Sequence, residues 1–124
     1  HSSHRRQRQM CIRDRDVTED KAESLDEFVE YLVGAVKKTE PNTMYYKYWI
    51  SKDKSKASLI EMYPNNEAAL FHMNAFAVAD HRDKFLETFT VTNFQVLGDT
   101  NDALKKAMID YTTDHRQMMD GFKR

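Results

Sequence analysis

Apolar and polar positions along this chain of 124 residues follow two different periods, and the switches between them mark out its elements. Leu25, Phe28, Leu32 and Ala35/Val36 recur at helical spacing, with Val29 beside the stripe. Ser24 to Glu27 fits a capping box, Thr18 is a further cap, and Lys37 and Lys38 put cations in the last turn. Glu40-Pro41-Asn42 stops the helix. Thr43–Ser51 reads as a strand from its aromatic content. One face carries Met44, Tyr46, Tyr48 and Ile50; the other carries Thr43, Tyr45, Lys47 and Trp49. A charged loop leads to a second strand, Ala57–Tyr63, returning antiparallel. Pro64-Asn65-Asn66 is turn chemistry, and Asn65 or Asn66 caps a helix opening at Glu67. That helix carries Leu70, Phe71 and His72, and continues or restarts toward Glu87 without a clean period.

Thr88–Leu97 alternates and is β-branched, so it reads as a strand. Phe89, Val91, Asn93, Gln95 and Leu97 fall on one side, with Thr90, Thr92, Phe94 and Val96 on the other. Asp99, Thr100 or Asn101 caps a short helix holding Leu104, Ala107 and Met108. Gln117–Lys123 reads as a last short strand, with Gly121 at a bulge or close approach.

The first fifteen residues, HSSHRRQRQMCIRDR, share neither period. They hold five of the eight Arg and the only Cys, and they resemble translated adaptor sequence. Residues 1–15 are therefore set apart as a non-native tail, with the folded domain over 16–124, and the true N-terminus is then missing. Met10 to Val17 would take the place of a first strand, because Met10, Cys11 and Ile12 are the only apolar residues there. Beyond residue 15 the chain has 14 Lys and Arg against 19 Asp and Glu, an acidic body that argues against nucleic acid as a partner. It offers no Cys for disulfides or thiolate metal sites. No run is long enough to span a membrane and no apolar leader is visible, so the expectation is a soluble cytoplasmic protein. One domain of this size gains from a second subunit that buries further apolar surface.

The element order is helix, strand, strand, helix, strand, then a small helix and strand. One more strand at the start makes β-α-β-β-α-β, an α+β ferredoxin-like unit with an antiparallel sheet. Both helices lie on one face of such a sheet, and dimerisation covers the other. The segments Glu40-Pro41 with Met44-Tyr45-Tyr46, and Ile60-Glu61-Met62-Tyr63 with Glu67 to His72, resemble the antibiotic-biosynthesis monooxygenase superfamily, including quinol monooxygenase-like members. The resemblance covers Val17 to about Leu97, with family-like extensions to Arg124. It implies a homodimeric α/β barrel with a short C-terminal helix and strand.

It also implies oxygenation of a small aromatic or quinol-type substrate with no metal and no other cofactor. A substrate that forms a carbanion or semiquinone reduces oxygen itself, so the protein supplies a dry cavity, a base and polar groups for the anion. His72 matches the family position for the catalytic base. Tyr46, Tyr48, Trp49, Tyr63 and Phe71 are candidate cavity residues, and Asn74 and Asn93 candidate orienters of oxygen. Only one face of the Thr43–Ser51 strand meets a given cavity, and the pattern leaves open which. His81, between Asp80 and Arg82, reads as a solvated helix residue. His72 falls where the haem-degrading branch has a Trp, and the only Trp here is on a strand, which disfavours haem degradation. Two other classes stay open: a non-catalytic dimeric module binding small aromatic molecules, and a structural or stress-associated dimer.

Overall fold

A computed structural model describes residues 8–124. Its elements in order are β1 (Gln9–Val17), a short 3-10 turn (Glu19–Ser24), α1 (Leu25–Thr39), β2 (Tyr45–Ile50), β3 (Lys56–Tyr63), α2 (Asn66–Ala77), α3 (Arg82–Thr88), β4 (Phe89–Leu97), α4 (Asp102–Met108) and β5 (His115–Arg116). The sheet order is β2-β3-β1-β4-β5. β1 lies at its centre, antiparallel to both β3 and β4, and β5 joins β4 in parallel. The first four strands and helices α1 and α2 thus make the α+β ferredoxin-like unit that the element order implies, with β5 added at one edge. Among the described residues no helix is long and apolar enough to cross a membrane.

The central strand corrects the boundary at residue 16. Gln9 to Asp16 pair with Tyr63 to Lys56 of β3, so residues 9–15 of the segment set apart as a tail belong to the sheet. Cys11, Arg13, Arg15 and Val17 point to the helical side and are buried. Gly98 ends the neighbouring strand: its φ is +133°, and a Cβ there would collide with the carbonyl oxygen of Arg8, so only glycine fits.

Alternation sets the inward face of every strand but one. On β3, Ala57, Leu59, Glu61 and Tyr63 are buried. β2 is in register with it, Tyr46 opposite Glu61 and Tyr48 opposite Leu59, which turns Tyr46 and Tyr48 toward the helices and Trp49 away. β4 departs from strict alternation. Asp14 pairs with Asn93 and Arg15 with Val91, so Thr92 is the extra residue of a bulge. The bulge changes the parity of the strand, and Phe89, Phe94 and Val96 are all buried although they fall on opposite sides of a plain alternation.

Local capping is mixed. The Asn65 side chain accepts from Ala68 N at 2.9 Å and the Asn101 side chain from Leu104 N at 3.0 Å, as turn chemistry implies. Ser24 makes no capping bond; a 3-10 turn precedes α1 and Ser24 Oγ donates back to Lys21 O instead. The second helical region does restart, as α2 and α3, after a turn at 78–81. The last strand is His115–Arg116, not Gln117–Lys123, because Thr112 Oγ1 and Val96 N tie the chain to β4 before Gln117.

Candidate functional site

Three inward positions on three elements place charged groups in the interior. Glu61 lies between Leu59 and Tyr63 on the helical face of β3 and is fully buried. His72 shares the buried stripe of α2 with Ala68, Ala69, Met73 and Phe76. Glu40 is the residue just after α1; its N–H still donates to Val36 O, and Pro41 prevents another turn. That arrest aims the buried Glu40 side chain at α2.

The three meet at the imidazole. His72 Nδ1 lies 2.7 Å from Glu40 Oε1 and His72 Nε2 lies 2.9 Å from Glu61 Oε1. Thr43 Oγ1 donates to Glu40 Oε1 at 3.1 Å, and Tyr63 OH donates to Glu61 Oε1 at 2.6 Å. On the far side Arg13 Nε is 3.0 Å from Glu61 Oε2, a charge pair without hydrogen-bond alignment. A neutral imidazole has one N–H, and would set a lone pair against one carboxylate; the imidazolium donates to both. Burial alone would push the His72 pKa down, but the charge of Glu61 and the bonds to Glu40 and Glu61 outweigh it and hold it at about 9. Burial would likewise raise the Glu61 pKa, but Arg13 first and His72 second hold it at about 2. His72 is therefore charged at neutral pH.

A cavity of about 330 Å³ opens beside this cluster, between α1, the sheet and the α2–α3 turn. Leu32, Val36, Leu59, Phe76 and Phe85 give it apolar walls. Arg13, Glu40, Tyr46 and His72 form a polar floor, and Tyr31 and His81 also line it. Tyr46 OH shares a 2.8 Å hydrogen bond with Tyr48 OH, and burial holds both phenols above their ordinary pKa. Among the described residues there is no group of three or more His, Cys, Asp or Glu suited to a metal ion.

The structure thus brings two of the sequence-predicted site residues, His72 and Tyr46, to one cavity. Tyr63 supports Glu61 from behind it, and Tyr48 supports Tyr46 while stacking on Phe89 at 6.0 Å. Trp49, Phe71, Asn74 and Asn93 do not line the cavity and are exposed. Trp49 is on the outer sheet face and Phe71 faces outward from α2, where helical periodicity allows only one of two neighbours to point inward. His72 is also placed differently from a free base, since both its nitrogens are engaged.

Sequence reasoning missed Glu40, Glu61, Tyr31 and His81. Glu61 had a signal: it is the one charged residue at an inward position of an otherwise apolar alternation. His81 had none, because its position depends on the break between α2 and α3. Arg15 is a further surprise. It is 1% exposed, none of its guanidinium nitrogens has a hydrogen-bond partner, and its charge lies 4.8 Å and 4.9 Å from the Phe85 and Phe89 rings. Burial, then the charge of Arg13, lowers its pKa to about 10.

No family model matches the chain, and no curated protein matches it. Solved structures do. MupZ from Pseudomonas fluorescens is similar with a TM-score of 0.82 at 15% identity, over 96% of this chain and 91% of that one. A protein named as a candidate antibiotic biosynthesis monooxygenase from Caulobacter crescentus CB15 has a TM-score of 0.59 at 17% identity, over 81% and 96%. Another so named, from Bacteroides thetaiotaomicron VPI-5482, has 0.55 at 14%, over 77% and 90%. At such identities the likeness is one of architecture: the chain has the α+β fold of MupZ and of proteins named as candidate antibiotic biosynthesis monooxygenases.

Proposed function

We propose that this protein is a monooxygenase of the antibiotic-biosynthesis type, working in the cytoplasm as a homodimer on a small aromatic or quinol-type substrate without a cofactor. The observation that carries the reading is the cavity: apolar walls leading to one polar end, where a buried imidazolium is held between two carboxylates. An aromatic ring suits the walls, and an oxygen losing its proton suits the end. The positive His72 ring stabilises the substrate anion, and Tyr46, tilted against His72 at 5.9 Å between ring centroids, stands beside it. The electron-rich anion then reduces oxygen, and the water-poor cavity protects it from side reactions.

The outer face of the sheet supports the dimer. Trp49 on the edge strand β2 is 53% exposed, and Met10, Ile12, Ile60 and Met62 share its face, a large apolar investment for a solvated face. A second copy covering it is expected to bury about 2,000 Å², and sedimentation at micromolar concentration should give twice the chain mass.

One observation favours a second reading, a non-catalytic module for small aromatic molecules: both nitrogens of His72 are already bonded. Oxygen uptake with a panel of quinols and anthrone-like compounds separates the two. Uptake above the protein-free rate supports the oxygenase; a thermal shift with no uptake supports the binding module.

A further inference from the structure

His72 cannot take a proton while its ring is an imidazolium donating to two carboxylates. Glu40 Oε1 already accepts from His72 and from Thr43. A proton acceptor here needs a vacant lone pair, which a neutral imidazole supplies. The cavity contains one such imidazole. We propose that His81 is the residue that takes the proton from the substrate's hydroxyl, a role that rests on the aromatic-substrate reading above.

His81 lines the same cavity as His72. It sits at the start of α3 but makes no capping bond, so the helix does not use its ring. Two other elements hold that ring by aromatic contact: Tyr31 of α1 meets it edge-on at 5.8 Å and 81°, and Phe76 of α2 lies at 6.2 Å. Neither ring nitrogen has a hydrogen bond to a described residue, so the ring is positioned without its proton site being occupied. The charged groups around it are Asp80 beside it, Arg82 after it, Glu40 at the end of α1 and His72 on α2. Burial first, and the positive charge of His72 second, lower its pKa, against the opposing pull of Asp80 and Glu40. Two imidazoles in one cavity are thus driven apart, one kept charged and one kept neutral, which is how a site divides acid and base roles.

The step is a proton transfer. The substrate O–H bond breaks and its electron pair stays on oxygen. The proton forms an N–H bond on His81, turning a neutral acid and a neutral imidazole into an aryloxide and an imidazolium. No oxidant or reductant is consumed. The aryloxide lies in a cavity that holds His81 at its rim and the His72 cation at its floor.

The test uses the full chain and 4-nitrophenol, whose neutral form is colourless and whose anion is yellow. Below the pH at which the free probe ionises, the wild-type protein should hold more of it as the anion. Histidine ring signals in NMR should move to imidazolium positions for His81 on binding and stay in place for His72. His81→Gln should still bind the probe but hold a clearly smaller fraction of it as the anion than the wild-type protein does at the same pH. The wild-type NMR readout stands by itself should the variant fold poorly. Equal anion fractions in the two proteins, or a His81 signal that ignores the probe, would overturn the role of His81 and leave the aromatic cavity standing. No binding to either protein would overturn the aromatic reading and the proposal with it.

Discussion

Glu40 and His72 are 32 residues apart in the chain, yet Glu40 Oε1 sits 2.7 Å from His72 Nδ1 in the interior. Their contact depends on the arrest of α1 at Pro41 and on the buried stripe of α2. With Glu61 on the other nitrogen, the charge of His72 is part of the fold as much as of the site. The His72 pKa of about 9 lies above its ordinary value of 6.5. The stability it contributes is therefore complete below pH 6.5 and is lost as pH rises through 9. Glu61 has the opposite sign: its contribution is complete above pH 4.5 and is lost as pH falls through about 2. Both shifts report one shared interaction and do not add. Each pKa unit corresponds to about 1.4 kcal/mol, so the alkaline loss is about 3 kcal/mol. Denaturant midpoints measured across pH should show a plateau between these limits with a decline on either side.

His72→Ala should be strongly destabilising, because it leaves two buried carboxylates facing each other without the cation between them. Removing one partner of a buried ion cluster costs about 3–5 kcal/mol. Urea unfolding of the variant at neutral pH measures this, and a loss under about 1 kcal/mol would mean that water already screens the cluster.

Glu40→Gln keeps the shape of the side chain and one acceptor while removing a charge. The His72 pKa should fall, since both the bond and the charge of Glu40 hold it up. A histidine NMR titration of the variant reads the shift directly, and an unchanged His72 titration would assign the whole effect to Glu61.

Arg15→Leu should make the protein more stable. Arg15 keeps a charge in the core with no hydrogen-bonded partner, and two aromatic faces do not replace its lost hydration. Relief of buried unsatisfied donors is worth about 1–3 kcal/mol, and the melting temperature should rise accordingly. A fall would show that the guanidinium has a role in packing Phe85 and Phe89.

The same residue shows what the sequence could and could not reveal. The stripe from Leu25 to Val36, the aromatic strand, the Asn65 cap and the β4 run were legible because each follows from local period or turn chemistry. β1 was legible only in part: Met10, Cys11 and Ile12 marked the place of a first strand, but two arginines alternate inward where a core strand should be apolar. Half of the site was equally hidden. His72 stood out by type and Tyr46 by the aromatic content of its strand, but Glu40 reads as a helix terminator and His81 as a solvated residue until the α2–α3 turn brings it over the cavity. The bulge at Thr92 was invisible for the same reason: it is set by pairing with β1, not by the composition of β4.

Oxygen consumption with anthrone, comparing the wild-type chain with Ala35→Trp, tests the central claim most directly. Ala35 lines the cavity from α1 and takes no part in the Glu40–His72–Glu61 cluster. An indole there fills the space while leaving the ionic cluster in place. The account predicts that the wild type consumes oxygen equimolar with anthrone, forming anthraquinone and water, and that the variant falls to the protein-free rate with its fold intact. Equal uptake by both proteins, or uptake by neither above the protein-free rate across the quinol and anthrone panel, would contradict it.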